Sequence, residues 1–339
     1  MKELQSVLGQ YKLKPHYIEE QGRLYKLYTW DGVYALKKLG SDAMHANHLS
    51  QISLLLQQSN IHHAVPIIPT RHKHYFSYDG TSYYYLMPWV ETKEVSARER
   101  VVDLFKATAS LHQRTTQQQT ITQEARKQFY EYSLKEWDER RQKLEKYLEY
   151  CERQVYMSPY ELNYCLHYTE LMKVDEVAKQ KLEAWYEQTE EKEKERTCLC
   201  HGNLRLEHLV YHRNEKPYLL NFERAYIGPP ILDLKFLIEH QFYKMPYGRK
   251  SILTAMQTYQ RLFPLSEEEK LLLSWELLSM RVIEHDIQLA QAHREQKNEL
   301  KQVKRLQRAV WLKQNISHFV FDTLEKKPAS NEPPKSTSS

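Results

Sequence analysis

Four stretches of the chain carry residue types able to do chemistry. The first is Tyr34-Ala35-Leu36-Lys37-Lys38, where strand alternation sends the two ammonium groups to opposite faces. The second is His201-Gly202-Asn203-Leu204-Arg205-Leu206-Glu207-His208. Asn203 can accept a hydrogen bond through its amide oxygen but cannot take up a proton as a carboxylate does. His208 can bind borderline metals and is a poor ligand for magnesium, which prefers hard oxygens. The third is Leu220-Asn221-Phe222-Glu223-Arg224-Ala225, followed by Gly228-Pro229-Pro230 and Asp233-Leu234. Here Glu223 and Asp233 are the carboxylates and Asn221 is an amide. The fourth stretch is Cys198-x-Cys200, too short by itself for a zinc knuckle. With Cys151 and Cys165 these read as reduced intracellular thiols.

Other polar clusters have plainer readings. His62, His63, His72 and His74 straddle a proline-rich turn without a zinc spacing and read as loop and strand polarity. Arg294, Lys297, Lys301, Lys304, Arg305, Arg308 and Lys313 fit the wet face of an amphipathic helix, so no specific nucleic-acid partner is expected.

The positioning elements follow from periodicity. Residues 16–20, 23–29, 33–39, 73–79 and 82–87 read as five strands, with Asp31-Gly32 and Asp79-Gly80 as turns. A helix over 43–58 carries Leu49, Ile52, Leu55 and Leu56 between the third and fourth strands. From about residue 96 the pattern turns helical, through Val101–Leu111, Trp137–Cys151 and Val174–Trp185, the last ending in the charge run 188–196. Short strand-like segments follow at 197–200, 207–211 and 217–222. Ser266 and Glu269 make a capping box for a helix over 267–283, and Leu300 to Val310 mark another helix. The expected division is an N-terminal lobe over 1–90, a helical lobe over 91–325 and a disordered tail over 326–339. Hydrophobic residues at 41% allow a sizeable core, and the net charge of +5 permits an acidic partner without identifying one. The start has no apolar leader, and no run approaches the ~20 apolar residues of a membrane helix. Glycine is scarce at 8 residues and tyrosine abundant at 25, the latter suiting protein contacts.

In this order the segments resemble those of the aminoglycoside and choline phosphotransferases. Tyr34 to Lys37 is similar to the strand bearing the phosphate-contacting lysine of protein kinases. Residues 201–209 resemble the catalytic loop H-G-D-x-x-x-x-N, and 220–225 the metal-binding segment I-D-F-D/E-x-A. Ala109-Ser110-Leu111-His112 resembles the helix motif that precedes the loop. Within that superfamily the chain is most similar to the CotS-type spore coat proteins of endospore-forming bacteria, through the strand 82–87 with Pro88-Trp89-Val90 and through Phe263-Pro264-Leu265-Ser266. The resemblance implies a bilobal, protein-kinase-like α+β fold. Its small N-lobe holds an antiparallel sheet and its larger C-lobe is mainly helical.

Set against the resemblance, the chemical positions depart from pattern. Asn203 stands for the hydroxyl-orienting aspartate, His208 for a metal-binding asparagine, and Asn221 for the main magnesium aspartate. The helix over 43–58 offers no acid after Asp42 to pair with Lys37, and His45 and His48 read as surface cover. The loop Glu19-Glu20-Gln21-Gly22-Arg23 has one glycine and two acids, a poor cradle for phosphate. His201, Glu223 and Asp233 remain, the last as a support of the loop, and Lys37 is the candidate nucleotide contact. The resulting expectation is a degenerate phosphotransferase without enzymatic activity and without a cofactor. It would be a structural protein of the spore coat, made in the mother-cell cytoplasm during sporulation and bound to other coat proteins. The alternative is an atypical small-molecule phosphotransferase, or a nucleotide-sensing scaffold, using ATP and Mg2+ with Glu223 as metal ligand.

Overall fold

Alternating residues around tight turns build the N-terminal sheet. The computed structural model describes residues 2–92, 94–212, 216–244, 248–292 and 298–325. The architecture is bilobal α+β, with a small antiparallel N-terminal sheet and a larger helical C-terminal region. A first helix, α1 (Lys2–Tyr11), precedes the strands β1 (Tyr17–Gln21), β2 (Leu24–Thr29) and β3 (Gly32–Gly40). Gly22 turns β1 into β2 at φ +66°, a conformation that costs glycine little. Helix α2 (Ala43–Gln58) starts at Asp42, whose carboxylate accepts the Met44 and His45 N–H groups. Strands β4 (Ser77–Tyr78) and β5 (Tyr83–Pro88) complete a five-stranded sheet in the order β1-β2-β3-β5-β4.

Two expectations change here. Helix α1 was not anticipated, although Leu4, Val7, Leu8 and Tyr11 have helical spacing; its Val7 and Leu8 are buried against Leu27, Leu36 and Leu86. The fourth strand is two residues long rather than 73–79. Residues 70–74 instead close a turn, with Thr70 N–H donating to His74 O at 2.8 Å and Lys73 at φ +64°.

Helix α3 (Ala97–Thr115) leads into β6 (Gln117–Thr120), then the long helices α4 (Gln123–Glu152) and α5 (Pro159–Thr189). Next come β7 (Lys194–Cys200), β8 (Leu209–Tyr211), β9 (Pro217–Leu219) and β10 (Tyr226–Gly228). Helices α6 (Pro230–Lys244), α7 (Arg249–Leu262), α8 (Glu267–Leu278), α9 (Arg281–Ala292) and α10 (Glu299–Val320) follow. The charge run 188–196 is divided: α5 ends at Thr189 and β7 begins at Lys194. The helix expected over 267–283 is also divided. Ser279 leaves the helical region at ψ 137°, ending α8 before α9 starts.

The chain splits into two compact units, Met1–Gln123 with Lys192–Leu265, and Glu124–Glu191 with Ser266–Ser339. The first unit holds the sheet and every segment singled out for chemistry. In the second, Leu144, Tyr147, Tyr164, Ile283 and Leu306 share one core. The Asp286 carboxylate there accepts from the Tyr160 hydroxyl at 2.8 Å and pairs with Arg305. Lys313, expected on a wet helix face, is buried and donates to Leu277 O at 2.8 Å. The tail 326–339 and Arg294 and Lys297 lie outside the described residues. No helix among the described residues is long and apolar enough to cross a membrane.

Ser266 Oγ accepts the Glu269 N–H and Glu269 returns a bond to the Ser266 N–H. Ser266→Ala should therefore cost ~1 kcal/mol of stability, read by denaturant unfolding, and an unchanged midpoint would remove this cap from the account.

Candidate active site

Lys37 lies on β3 opposite Tyr85 of β5, and both side chains point to the same face. Lys37 Nζ is 2.7 Å from Glu223 Oε1 and donates to Asn221 Oδ1 at 2.9 Å. The Tyr85 hydroxyl donates to the same Glu223 oxygen at 2.7 Å. Burial works against an ionised Glu223, but the Lys37 ammonium and the Tyr85 hydroxyl outweigh it and hold this carboxyl below its ordinary value. Lys38, on the opposite face, sits over the Tyr84 ring. Asn221 takes a left-handed conformation, φ 65° and ψ 52°, which asparagine tolerates better than most residues.

The histidines of α2 are not surface cover. His45 Nε2 lies 3.1 Å from Glu223 O, and His48 Nε2 lies 2.6 Å from Ala225 O. Because the carbonyls accept, each Nε2 carries the proton and donates. An i, i+3 spacing puts both imidazoles on one helix face, which is the signal that could have linked them. In place of a helix glutamate, α2 thus meets the main chain of 221–225, and Lys37 finds its carboxylate in Glu223. In the loop 19–23, Glu19 accepts from Gln21 Nε2 at 2.6 Å and from the Tyr28 hydroxyl at 3.3 Å, which leaves its negative charge in the hairpin.

The loop at 201–208 is anchored from beneath by Asp233, in the first turn of α6 and 1% exposed. Asp233 Oδ2 accepts the His201 N–H at 2.6 Å and Oδ1 accepts the Gly202 N–H at 2.9 Å. His112 of α3 places Nε2 3.2 Å from the same carboxylate, with Nδ1 2.7 Å from the Tyr259 hydroxyl. Burial opposes a charged His112, but Cys198 and Asp233 outweigh it and raise its pKa to about 9. His201 directs Nε2 to Leu220 O at 2.7 Å, tying the loop to the segment that carries Asn221. Arg100 of α3, which sequence reasoning missed, donates to Leu206 O at 2.6 Å and Leu209 O at 3.2 Å.

Asn203 and His208 close the loop. His208 Nδ1 donates to Asn203 O at 2.8 Å, and burial pushes its pKa down to about 4, so the imidazole is neutral at physiological pH. Arg205 Nε donates to Asn203 Oδ1 at 3.0 Å. The two cysteines of the C-x-C pair gain a third neighbour that their spacing could not reveal. Cys198 Sγ, Cys200 Sγ and a His112 ring nitrogen lie within 4.8 Å of one another, all buried.

Residues 22–268 match the sequence profile of the phosphotransferase enzyme family. No curated protein matches the chain in sequence. Among solved structures, an aminoglycoside phosphotransferase from Alicyclobacillus acidocaldarius subsp. acidocaldarius DSM 446 aligns with a TM-score of 0.73 and 16% identity, covering 95% of each chain. An AMP-bound spectinomycin phosphotransferase gives 0.56 at 14% identity, covering 93% of this chain and 96% of its own. A microcompartment-associated aminopropanol kinase gives 0.53 at 12% identity, covering 92% and 96%. At these identities the similarity is one of fold. The family match corrects the expectation of a degenerate, non-enzymatic chain. That expectation counted the carboxylates missing at 203 and 221 but left Lys37 without a partner, whereas Glu223 supplies the opposite charge.

Two measurements probe this geometry. A Cβ on Gly202, at φ +72°, would fall 2.2 Å from Arg224 O, so Gly202→Ala should cost at least about 2 kcal/mol in denaturant unfolding. The folded pKa of His112 lies above the unfolded value of 6.5. Its contribution is therefore fully present below about pH 6.5 and lost as pH rises through about 9. Cys198, whose thiol is held down to about 6 by Cys200 and His112, titrates in the opposite sense over the same window and offsets this loss. In Cys198→Ser, unfolding free energy should therefore fall across the window by on the order of 1 kcal/mol, a slope that adding His112→Gln removes, and a Cys198→Ser profile flat between about pH 6.5 and 9.5 would contradict a charged His112.

Proposed function

The chain belongs to the phosphotransferase enzyme family, and from that premise we propose that it transfers a phosphoryl group from ATP to a small molecule. The observation that carries this reading is the convergence of Glu223 Oε1 and Asn221 Oδ1 on Lys37 Nζ, at 2.7 and 2.9 Å. Phosphoryl transfer is mostly positioning and electrostatics, so a cation held by two nearby oxygens is the arrangement it needs. Lys37 would contact the nucleotide phosphates. Tyr85 and the two α2 histidines keep the Glu223 side chain and main chain in register with it. Asp233 fixes the loop that presents Asn203 through two main-chain N–H groups.

The donor set fits magnesium carried in with the nucleotide. Magnesium in such sites takes one or two protein oxygens and fills the rest of its shell with phosphate and water. Glu223 and Asn221 would hold it, and His208 would not, because its neutral imidazole is the wrong ligand type. Bound there, magnesium would neutralise charge on the transferring phosphate.

Calorimetric titration of the full chain with ATP, with and without magnesium, tests the proposal. ATP should bind, more tightly with the metal. Lys37→Met should weaken binding or lower turnover by at least about tenfold, and Glu223→Ala should remove most of the gain from magnesium. No heat with ATP under either condition would overturn the reading.

A further inference from the structure

Just before the loop 201–208 lies a cluster that phosphoryl transfer does not use. Cys198 and Cys200 stand two apart on β7, so alternation turns both thiols to one face of the strand. The strand is held on both sides. Cys198 pairs with Gly228 and Cys200 with Tyr226 of β10, while Thr197 pairs with Gln117 of β6. His112 comes from the last turn of α3, and the Thr115 hydroxyl oxygen accepts the Leu199 N–H at 2.9 Å, fixing α3 against β7. The two Sγ atoms and a His112 ring nitrogen lie within 4.8 Å of one another. All three residues are 0% exposed.

The contacts around these groups suit ligand atoms. Cys198 Sγ lies 3.8 Å from Gly228 O, and Cys200 Sγ lies 3.5 Å from Gly228 O and 3.4 Å from Pro229 O, all weak thiol bonds that are easily given up. The other bonds of Cys198 run within the cluster, to Cys200 and His112. The Asp233 main-chain N–H and the Tyr226 hydroxyl donate to Cys200, as a thiolate requires. Whichever His112 nitrogen binds an ion, the other keeps an oxygen partner: the Asp233 carboxylate on Nε2 or the Tyr259 hydroxyl on Nδ1. An outer bond of that kind orients most metal-bound imidazoles.

Two thiolates and one imidazole select a soft ion, and the number of ligands selects among soft ions. Zinc in a closed site takes four ligands. Among the described His, Cys, Asp and Glu side chains no fourth joins this group, and its burial leaves no bulk water to complete the shell. Cuprous copper accepts three. We infer that His112, Cys198 and Cys200 form a three-ligand site for cuprous copper, independent of the phosphotransferase reading. Bonds of about 2.0 Å to nitrogen and about 2.3 Å to sulfur set trigonal ligand atoms roughly 3.5–4 Å apart, so the three side chains close on the ion by about an ångström. Binding displaces the protons on both thiols and on the ligating nitrogen. The pH response of His112 and Cys198 is therefore that of the metal-free chain. Held between α3 and β7, the ion stiffens the base of the loop and takes no part in transfer.

The test uses the reduced full chain without oxygen. One preparation comes from copper-supplemented cells; a second is purified metal-free and equilibrated with cuprous ion buffered by bicinchoninate, a chromogenic competitor. Each should hold about one equivalent of copper, with a raised thermal midpoint. Cys198→Ser and Cys200→Ser should each weaken binding at least about tenfold. Cys151→Ser with Cys165→Ser, which alters the other two thiols, should leave it within about twofold. His112→Gln also strands Asp233, so the imidazole is read on the unaltered chain: X-ray absorption at the copper edge should show two sulfur neighbours and one nitrogen. Copper held as tightly by the Cys198 and Cys200 variants, a shell of four ligands or one lacking nitrogen, or no copper in either preparation overturns the inference. None of these outcomes bears on ATP binding, so the phosphotransferase reading stands or falls separately.

Discussion

The buried Asp233 carboxylate is the point from which the rest of the site is hung. A charge taken out of water is tolerable only when its oxygens are filled by donors and a partner charge is near. Asp233 meets that demand with two loop N–H groups and the His112 imidazole. Satisfying the carboxylate and shaping the loop are therefore one event. The left-handed Gly202 lets the chain turn over Asp233 and pass close to Arg224. His201 then reaches back to Leu220, so the loop and the segment bearing Asn221 and Glu223 are set against a common anchor. The cluster at Lys37 depends on a second and more exposed charge pair, with side chains 21% and 22% exposed.

These two charge centres have different tolerances. At Asp233 a change in any partner strands a charge in a region without solvent. At Lys37 the pair is reached by solvent, so water can take the place of either partner. A kinase-like loop can thus lose acids at 203 and 221 while its frame stays intact, since the frame is not built from those side chains.

Much of this was legible in the sequence. The five-stranded sheet, the capped helix at Ser266 and the segments around Lys37, 201–208 and 221–233 are local patterns, set by alternation, turn residues and helical spacing. What escaped was set by contacts between distant segments. Glu223 was weighed only as a metal ligand, and the lysine's partner was sought on α2, because no local rule joins residue 37 to residue 223. His45 and His48 looked like surface polarity because their acceptors are main-chain carbonyls, which sequence does not display. The proximity of His112 to the two cysteines depends on α3 and β7 lying together, which the C-x-C spacing cannot encode. The short β4 was misjudged for a smaller reason, a turn at Lys73 inside an apparently strand-like run.

The seat of α2 has a consequence for how this site can vary. An ion pair between a helix glutamate and a strand lysine ties the helix to one side chain, so changing that side chain frees the helix. Here the histidines grip the peptide groups of residues 223 and 225, and every amino acid supplies a carbonyl. Those two bonds do not depend on which side chains the positions bear. Substitutions at 223 alter the charge beside Lys37 without removing either bond, whereas Ala225 is fully buried and leaves no room for a larger side chain. Placement of the helix and composition of the site are inherited as separate traits.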